Sequence, residues 1–396
     1  MASGIADYSS ELLPLIAERA VVDACCPRGG ILRRVRVPPG VRRFDPESVA
    51  GGEHDAVFHH LGNNPHHEFV YEAALAHPGI AVFHDFVMHH LVAHLMVEAN
   101  RDRSRYQRLL EHEYGESGRR LSDLRFRGVA DDFEKFLFPL NEHVARRAKA
   151  IVVHSEDSAD RMRALVPRVP VWVIPHHAGS PPPAVKGIDR AAARLRLGLP
   201  AQAFLVGHFG FITRPKQPSA VLGGFARLAS RRQDAELVMI GADTTGGGLD
   251  RQIRRLRLDG RVRLAGFVDL ERFYLYLKAV DASINLRYPS AGESSGTFCR
   301  ALAEGRATIV NNLGSFAEVP PDVALKVEVD GDQAAEVGEH LIRLAEDPGF
   351  KATVESNAHR YATTVLDPLR CRDLYLEVAA SALNTAPATA GPAPRP

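Results

Sequence analysis

The chain is poor in cysteine, with four among 396 residues. Cys25 and Cys26 are adjacent, while Cys299 and Cys371 stand alone. That spacing is neither a disulfide framework nor a zinc-ligand pattern. An excess of one charge is also missing. Lysine plus arginine is 49 against 48 for aspartate plus glutamate, a net of +1, which excludes nucleic-acid binding through a bulk basic footprint. A local basic pocket for one phosphate-bearing ligand remains open. No apolar run reaches the roughly 18 residues of a membrane span. With no signal-peptide pattern either, the expected place is the reduced cytoplasm, with room for no more than peripheral membrane contact. A His-Glu-x-x-His metal motif is absent too. His90 and His94 are four apart on one helical face, but Leu91 stands where the glutamate belongs. Asp330-Gly331-Asp332, the one Asp-x-Asp, reads as a turn before a helix. The expectation is a protein with no metal and no cofactor.

What the chain has is an ordinary globular composition, 45% apolar and 24% charged, in a length that suggests two or three domains. Short apolar runs alternate with amphipathic helical stretches, the pattern of parallel α/β layers. Strands are expected at 21–25, 56–60, 80–83, 151–153 and 171–174, and residues 86–150 read mostly helical with breaks at Gly115 and Gly128. Ser180-Pro181-Pro182-Pro183 makes a stiff extended link, so a domain boundary is drawn there. The alternation then restarts, with strands at 204–207, 236–240, 262–265, 282–286, 308–310 and 324–327. The expected organisation is a first α/β domain at 1–179 and a second at 180–365. A last helix follows at 366–383, then a disordered Ala/Pro/Thr tail at 384–396. Paired α/β domains bind ligands at the carboxyl ends of their strands.

Three segments could carry chemistry. Gly207 to Lys216 follows a strand and leads into a helix; its glycines, Gly210 among them, admit a ligand to the backbone. Arg214 and Lys216 put two cations where a helix start also favours an anion. Residues 288–297 follow the strand ending at Leu286 and open a helix. Ser294, Ser295 and the helix-start amides can donate hydrogen bonds, and Glu293 can accept them from sugar hydroxyls, although Ser and Glu are also ordinary caps. His84-Asp85 closes the strand at 80–83, at the functional edge of such a sheet.

Together these segments resemble the family 4 retaining glycosyltransferases of the GT-B fold. Residues 4–9, with Gly4 and Asp7, look like the glycine loop of their acceptor domain, and His84-Asp85 like that domain's His-Asp strand end. Residues 152–156 and 173–176 look like the segments before the interdomain link. Lys216 looks like their diphosphate lysine, and Gly266-Phe267-Val268 like the loop whose backbone touches the base. Gly292 through Gly305 resembles the donor-sugar motif, and 312–320 the loop after it.

The sequence departs from the pattern in three places. No strand pattern precedes Gly4, so the first domain is expected to lack its opening strand. The arginine six residues before the diphosphate lysine falls on Gly210, with Arg214 as a substitute. The motif's second glutamate, which contacts ribose, falls on Arg300.

The resemblance implies two Rossmann-like doubly wound domains facing across a cleft. The second would bind a UDP- or GDP-sugar and the first a hydroxyl acceptor: a glycan, a lipid-linked group or a small molecule. It implies hexosyl transfer with retention and without metal. His84 and Glu293 would act at the reacting sugar. Gly210, Arg214, Lys216, Phe267, Val268, Gly292, Ser294, Ser295, Gly296, Thr297 and Arg300 would hold the donor, and Gly4, Asp7 and Asp85 would lie on the acceptor side. The competing expectations are a GT-B sugar-nucleotide epimerase or hydrolase, and a non-catalytic partner subunit.

Overall fold

A computed structural model describes residues 4–25, 37–44 and 54–384. Cys26 and the expected tail beyond residue 384 lie outside them. The described residues form two compact units. The first collects the chain up to Pro175, the short segment Ala291–Ser294 and the helix Pro368–Asn384. The second holds His176–Ser290 and Ser295–Asp367.

In the first unit, β1 (Val22–Cys25) pairs in parallel with β2 (Val41–Phe44) as a two-stranded sheet. The strand β2 escapes a reading by hydrophobicity because two of its four residues are arginines. Arg42 stands opposite Asp23 in the register, and its guanidinium donates to both carboxylate oxygens at 2.7 Å. A separate parallel sheet runs β3 (Phe58–Leu61), β4 (Ile80–Phe83), β5 (Ala150–Val153), β6 (Val171–Val173), in that order. The strands β4 and β5 are buried along their whole length, as expected of strands covered on both faces. One face packs against the helix Gly4–Ala17 and the helix Pro368–Asn384, through Tyr8, Leu12, Tyr375 and Val378. The other face packs against the mostly helical region after β4. The helix Arg103–Phe126 in that region runs through Gly115 with a kink.

The second unit is a six-stranded parallel sheet of β7 (Phe204–Phe209), β8 (Ala235–Ile240), β9 (Val262–Gly266), β10 (Ala282–Asn285), β11 (Ala307–Asn311) and β12 (Leu325–Val327). Their spatial order is β12-β11-β10-β7-β8-β9. This is the doubly wound order, and its direction reverses between β7 and β10.

Two expectations from the sequence are corrected. Gly4 and Asp7 do not lie in a loop. Gly4 opens the helix Gly4–Ala17 and Asp7 sits in its first turn, because Tyr8 and Leu12, four apart, bury together on the sheet. The triple proline is not where the units part. Ala178 is buried and its N–H donates to Leu366 O at 2.8 Å, while Pro183–Val185 form a 3-10 turn that buries Val185. The chain is therefore already part of the second unit before residue 180. The segment Ala291–Ser294 also leaves the range expected for the second domain. No described helix is long and apolar enough to cross a membrane.

Candidate functional site

Each unit gathers polar side chains at the carboxyl edge of its sheet. In the second unit the gathering is at the β7/β10 reversal. The chain leaves β7 through Gly210, at φ +93°, and turns through the 3-10 helix Arg214–Lys216. Lys216 folds back so that its Nζ donates to Phe209 O at 2.9 Å. Arg214 is exposed and Lys216 half-buried. Tyr288 N–H donates to Pro215 O at 2.7 Å, tying the loop after β10 to the loop after β7.

Asn285, at the end of β10, donates from Nδ2 to Ser295 Oγ at 3.1 Å and to Thr297 Oγ1 at 2.8 Å. Ser295 caps the helix Gly296–Ala303 by accepting from Phe298 N–H. A Cβ on Gly210 would lie 3.9 Å from Thr297, so the two loops meet. Gly210, Lys216, Ser295 and Thr297 thus share one edge, and Arg214 sits on the same short turn as Lys216. His208, wholly buried on β7, joins them, held neutral by burial, with Lys216 and Arg287 adding to the effect, and its pKa pushed down to about 3. The sequence reading missed Asn285 and His208. A polar residue inside an otherwise apolar strand was the available signal.

Phe267 and Val268 follow β9, the outermost strand on that side; Phe267 is 65% exposed and Val268 packs on the core. Arg300 is not directed outward. It is buried on its helix, and its guanidinium donates to Tyr274 OH at 2.6 Å.

The first unit's edge is built on His84-Asp85. Asn63, in the turn after β3, organises it. Its backbone N–H donates to Asp85 Oδ2 at 2.8 Å, its Oδ1 accepts from Leu91 N–H at 3.1 Å, and its Nδ2 meets His90 Nδ1 at 2.8 Å. The segment Ala291–Ser294 joins this edge. Ala291 O accepts from Val87 N–H at 2.9 Å, Gly292 O from Ser158 Oγ at 3.0 Å, and Ser294 Oγ donates to His154 O at 3.4 Å. Glu293, half-buried, is close enough for its charge to act on His90, whose pKa burial still depresses to about 4.

His84 was expected to present its ring to a substrate. Both its nitrogens are instead engaged, by His60 at 3.0 Å and His154 at 3.1 Å. Among the described residues no three His, Cys, Asp or Glu side chains gather as metal ligands. His94 pairs with Glu98, and Asp332 caps the helix Gln333–Glu346.

No family model matches the sequence. A D-inositol 3-phosphate glycosyltransferase of Salinispora arenicola is 30% identical over 185 residues, 44% of this chain and 40% of that protein. One of Streptomyces bingchenggensis is 27% identical over 229 residues, 56% of this chain and 50% of that protein. The match thus spans about half the length of these curated relatives. Among solved structures, HepE of Anabaena with UDP bound superposes with a TM-score of 0.65 at 17% identity, covering 96% of each chain. A sucrose-phosphate synthase of Thermosynechococcus elongatus gives 0.65 at 16%, covering 96% of this chain and 94% of that one. The chain has the GT-B glycosyltransferase fold, with two Rossmann-like units. The sequence relatives, matched over about half their length, are named as glycosyltransferases, the class that the motifs resemble.

Proposed function

We propose that the chain is a retaining glycosyltransferase that moves a hexose-type sugar from a UDP- or GDP-sugar to a hydroxyl acceptor without a metal. The observation that carries this reading is the second unit's β7/β10 edge. There Lys216, Arg214 and the start of the helix Gly296–Ala303 gather positive charge and N–H donors. A doubly wound sheet binds ligands at that reversal, and helix starts favour anions. The relatives' names and the UDP bound by Anabaena HepE support the same ligand class.

In the reaction, the bond from the sugar's anomeric carbon to the diphosphate breaks, and a bond to the acceptor oxygen forms on the same face. The acceptor's proton leaves with the diphosphate or to water. Lys216 and Arg214 stabilise the charge that grows on the diphosphate, the kind of preorganised electrostatics that speeds such steps. Glu293 holds hydroxyls of the donor sugar. The first unit supplies the acceptor side.

A panel of UDP-glucose, GDP-mannose and related donors against glycerol, D-glucose and myo-inositol, read by product NMR with and without chelator, tests the reading. The expected product is an α-glycoside, formed equally in chelator. Turnover of donor alone would replace the reading with a hydrolase or epimerase. Binding without turnover would replace it with a partner subunit.

A further inference from the structure

Four adjacent strand ends of the first unit carry one unbroken hydrogen-bonded chain. His60 lies near the end of β3, His84 follows β4, His154 follows β5 and Ile174 follows β6. His154 Nδ1 is 2.8 Å from Ile174 O, His84 Nδ1 is 3.1 Å from His154 Nε2, and His60 Nδ1 is 3.0 Å from His84 Nε2.

The direction of the chain follows from its anchor. A carbonyl only accepts, so His154 Nδ1 carries hydrogen. In a neutral ring Nε2 is then bare and accepts from His84 Nδ1. The same alternation leaves His84 Nε2 bare, accepting from His60 Nδ1. It ends at a bare His60 Nε2, which has no partner among the described residues. His84 and His154 are 6% and 8% exposed, whereas His60 is only half-buried. Burial keeps His154 neutral, with its pKa near 4, and His60 likewise, near 3. The interior links of the chain are therefore closed, and its open end is an acceptor at the edge where α/β sheets hold ligands.

We propose that His60 Nε2 is the nitrogen that receives a substrate hydroxyl in the first unit, and that His84 and His154 are positioning residues that fix its tautomer. The proposal rests on the glycosyl-transfer reading for the identity of the hydroxyl, but not for the chain itself. It moves the role that the motif gives His84 one ring along, because His84 has both nitrogens engaged by its neighbours.

Two measurements on the full chain test it. Ring nitrogen NMR on protein labelled with 15N-histidine, assigned by single variants, reads the tautomers at pH 7.5. The expected result is three neutral rings protonated at Nδ1. An Nε2-protonated or charged ring at any of the three positions overturns the chain. This arm needs no turnover, so it stays readable if no sugar transfer is found.

The second measurement uses the most active donor and acceptor of the panel above. His60→Asn keeps a donor in place of Nδ1 and deletes the open acceptor. A fall of about ten- to a hundredfold in kcat/KM for the acceptor is expected, as for one lost hydrogen bond to the substrate, with nucleoside diphosphate affinity unchanged and His84 still Nδ1-protonated. Unchanged kcat/KM in that variant overturns the role of His60 even where the tautomers are as expected.

Discussion

A Cβ placed on Gly210 would fall 2.2 Å from Nζ of Lys216. The lysine's ammonium group occupies the space that any other residue at 210 would need, and Gly210 also holds φ at +93°. The glycine is thus part of what sets the cation's position. Gly210→Ala should weaken nucleoside diphosphate binding about as much as Lys216→Ala, roughly tenfold or more, since charge-assisted phosphate contacts are the strong kind. Calorimetry with UDP and GDP reads both variants. Full affinity in Lys216→Ala would remove the lysine from the donor site.

Gly292 is constrained in the first unit for a related reason. It sits at φ +77°, and a Cβ there would lie 2.4 Å from Phe86 Cβ. Gly187 has almost the same φ, +76°, with nothing near its missing Cβ. Gly187→Ala should cost only the left-handed backbone term, about 1 kcal/mol. Gly292→Ala should add a steric cost of about 1–3 kcal/mol. Urea unfolding of both variants separates the two effects, and equal losses would show that the segment shifts freely.

The chain should weaken in mild acid. Burial depresses the pKa of His60, His89 and His208 to about 3 and of His154 to about 4, against about 6.5 in an unfolded chain. Above pH 6.5 both states are neutral and nothing is lost. As pH falls below 6.5 the unfolded state takes up protons that the folded state refuses, so stability declines from there down toward pH 4 and 3. Each such histidine costs up to ~1.4 kcal/mol per pH unit in that window. Melting temperatures at pH 7.5, 6.5 and 5.5 should show little change over the first step and a clear drop over the second. A flat profile would mean that these rings reach partners that accommodate their charge.

Glu293 separates a sugar-binding role from a capping one. Glu293→Gln keeps size and removes charge. It should cut turnover strongly while leaving nucleoside diphosphate affinity and melting temperature nearly unchanged. A cap would behave in the opposite way: Glu293→Ala would lose up to about 1–2 kcal/mol of stability with turnover per folded molecule intact. Turnover and melting measured on both variants decide between them.

Much of the local structure was legible in the sequence, because local rules govern it. The runs at 80–83 and 151–153 read as buried strands, since hydrophobic side chains covered on both faces need no polar alternation. Ser295 and Asp332 mark helix starts because a short polar side chain satisfies an orphan amide only a few residues away. The glycines and cations of 207–216 put backbone freedom and positive charge in one short segment, and the proposed phosphate site rests on those two properties.

Tertiary structure decided what depends on partners distant in the chain. Arg42 becomes a strand residue because Asp23 lies opposite it across a register. Arg300, which the motif aligns with a ribose contact, is bonded to Tyr274, 26 residues earlier. The segment Ala291–Ser294 joins the first unit through hydrogen bonds to Val87, Ser158 and His154. The histidine chain links residues 24 and 70 apart, and only the parallel register of β3, β4 and β5 brings those rings within hydrogen-bond reach. Periodicity and capping act over a few residues, so they fix elements. Which strand ends meet is set by packing across the whole sheet, and the accepting nitrogen at His60 exists only after that packing is complete.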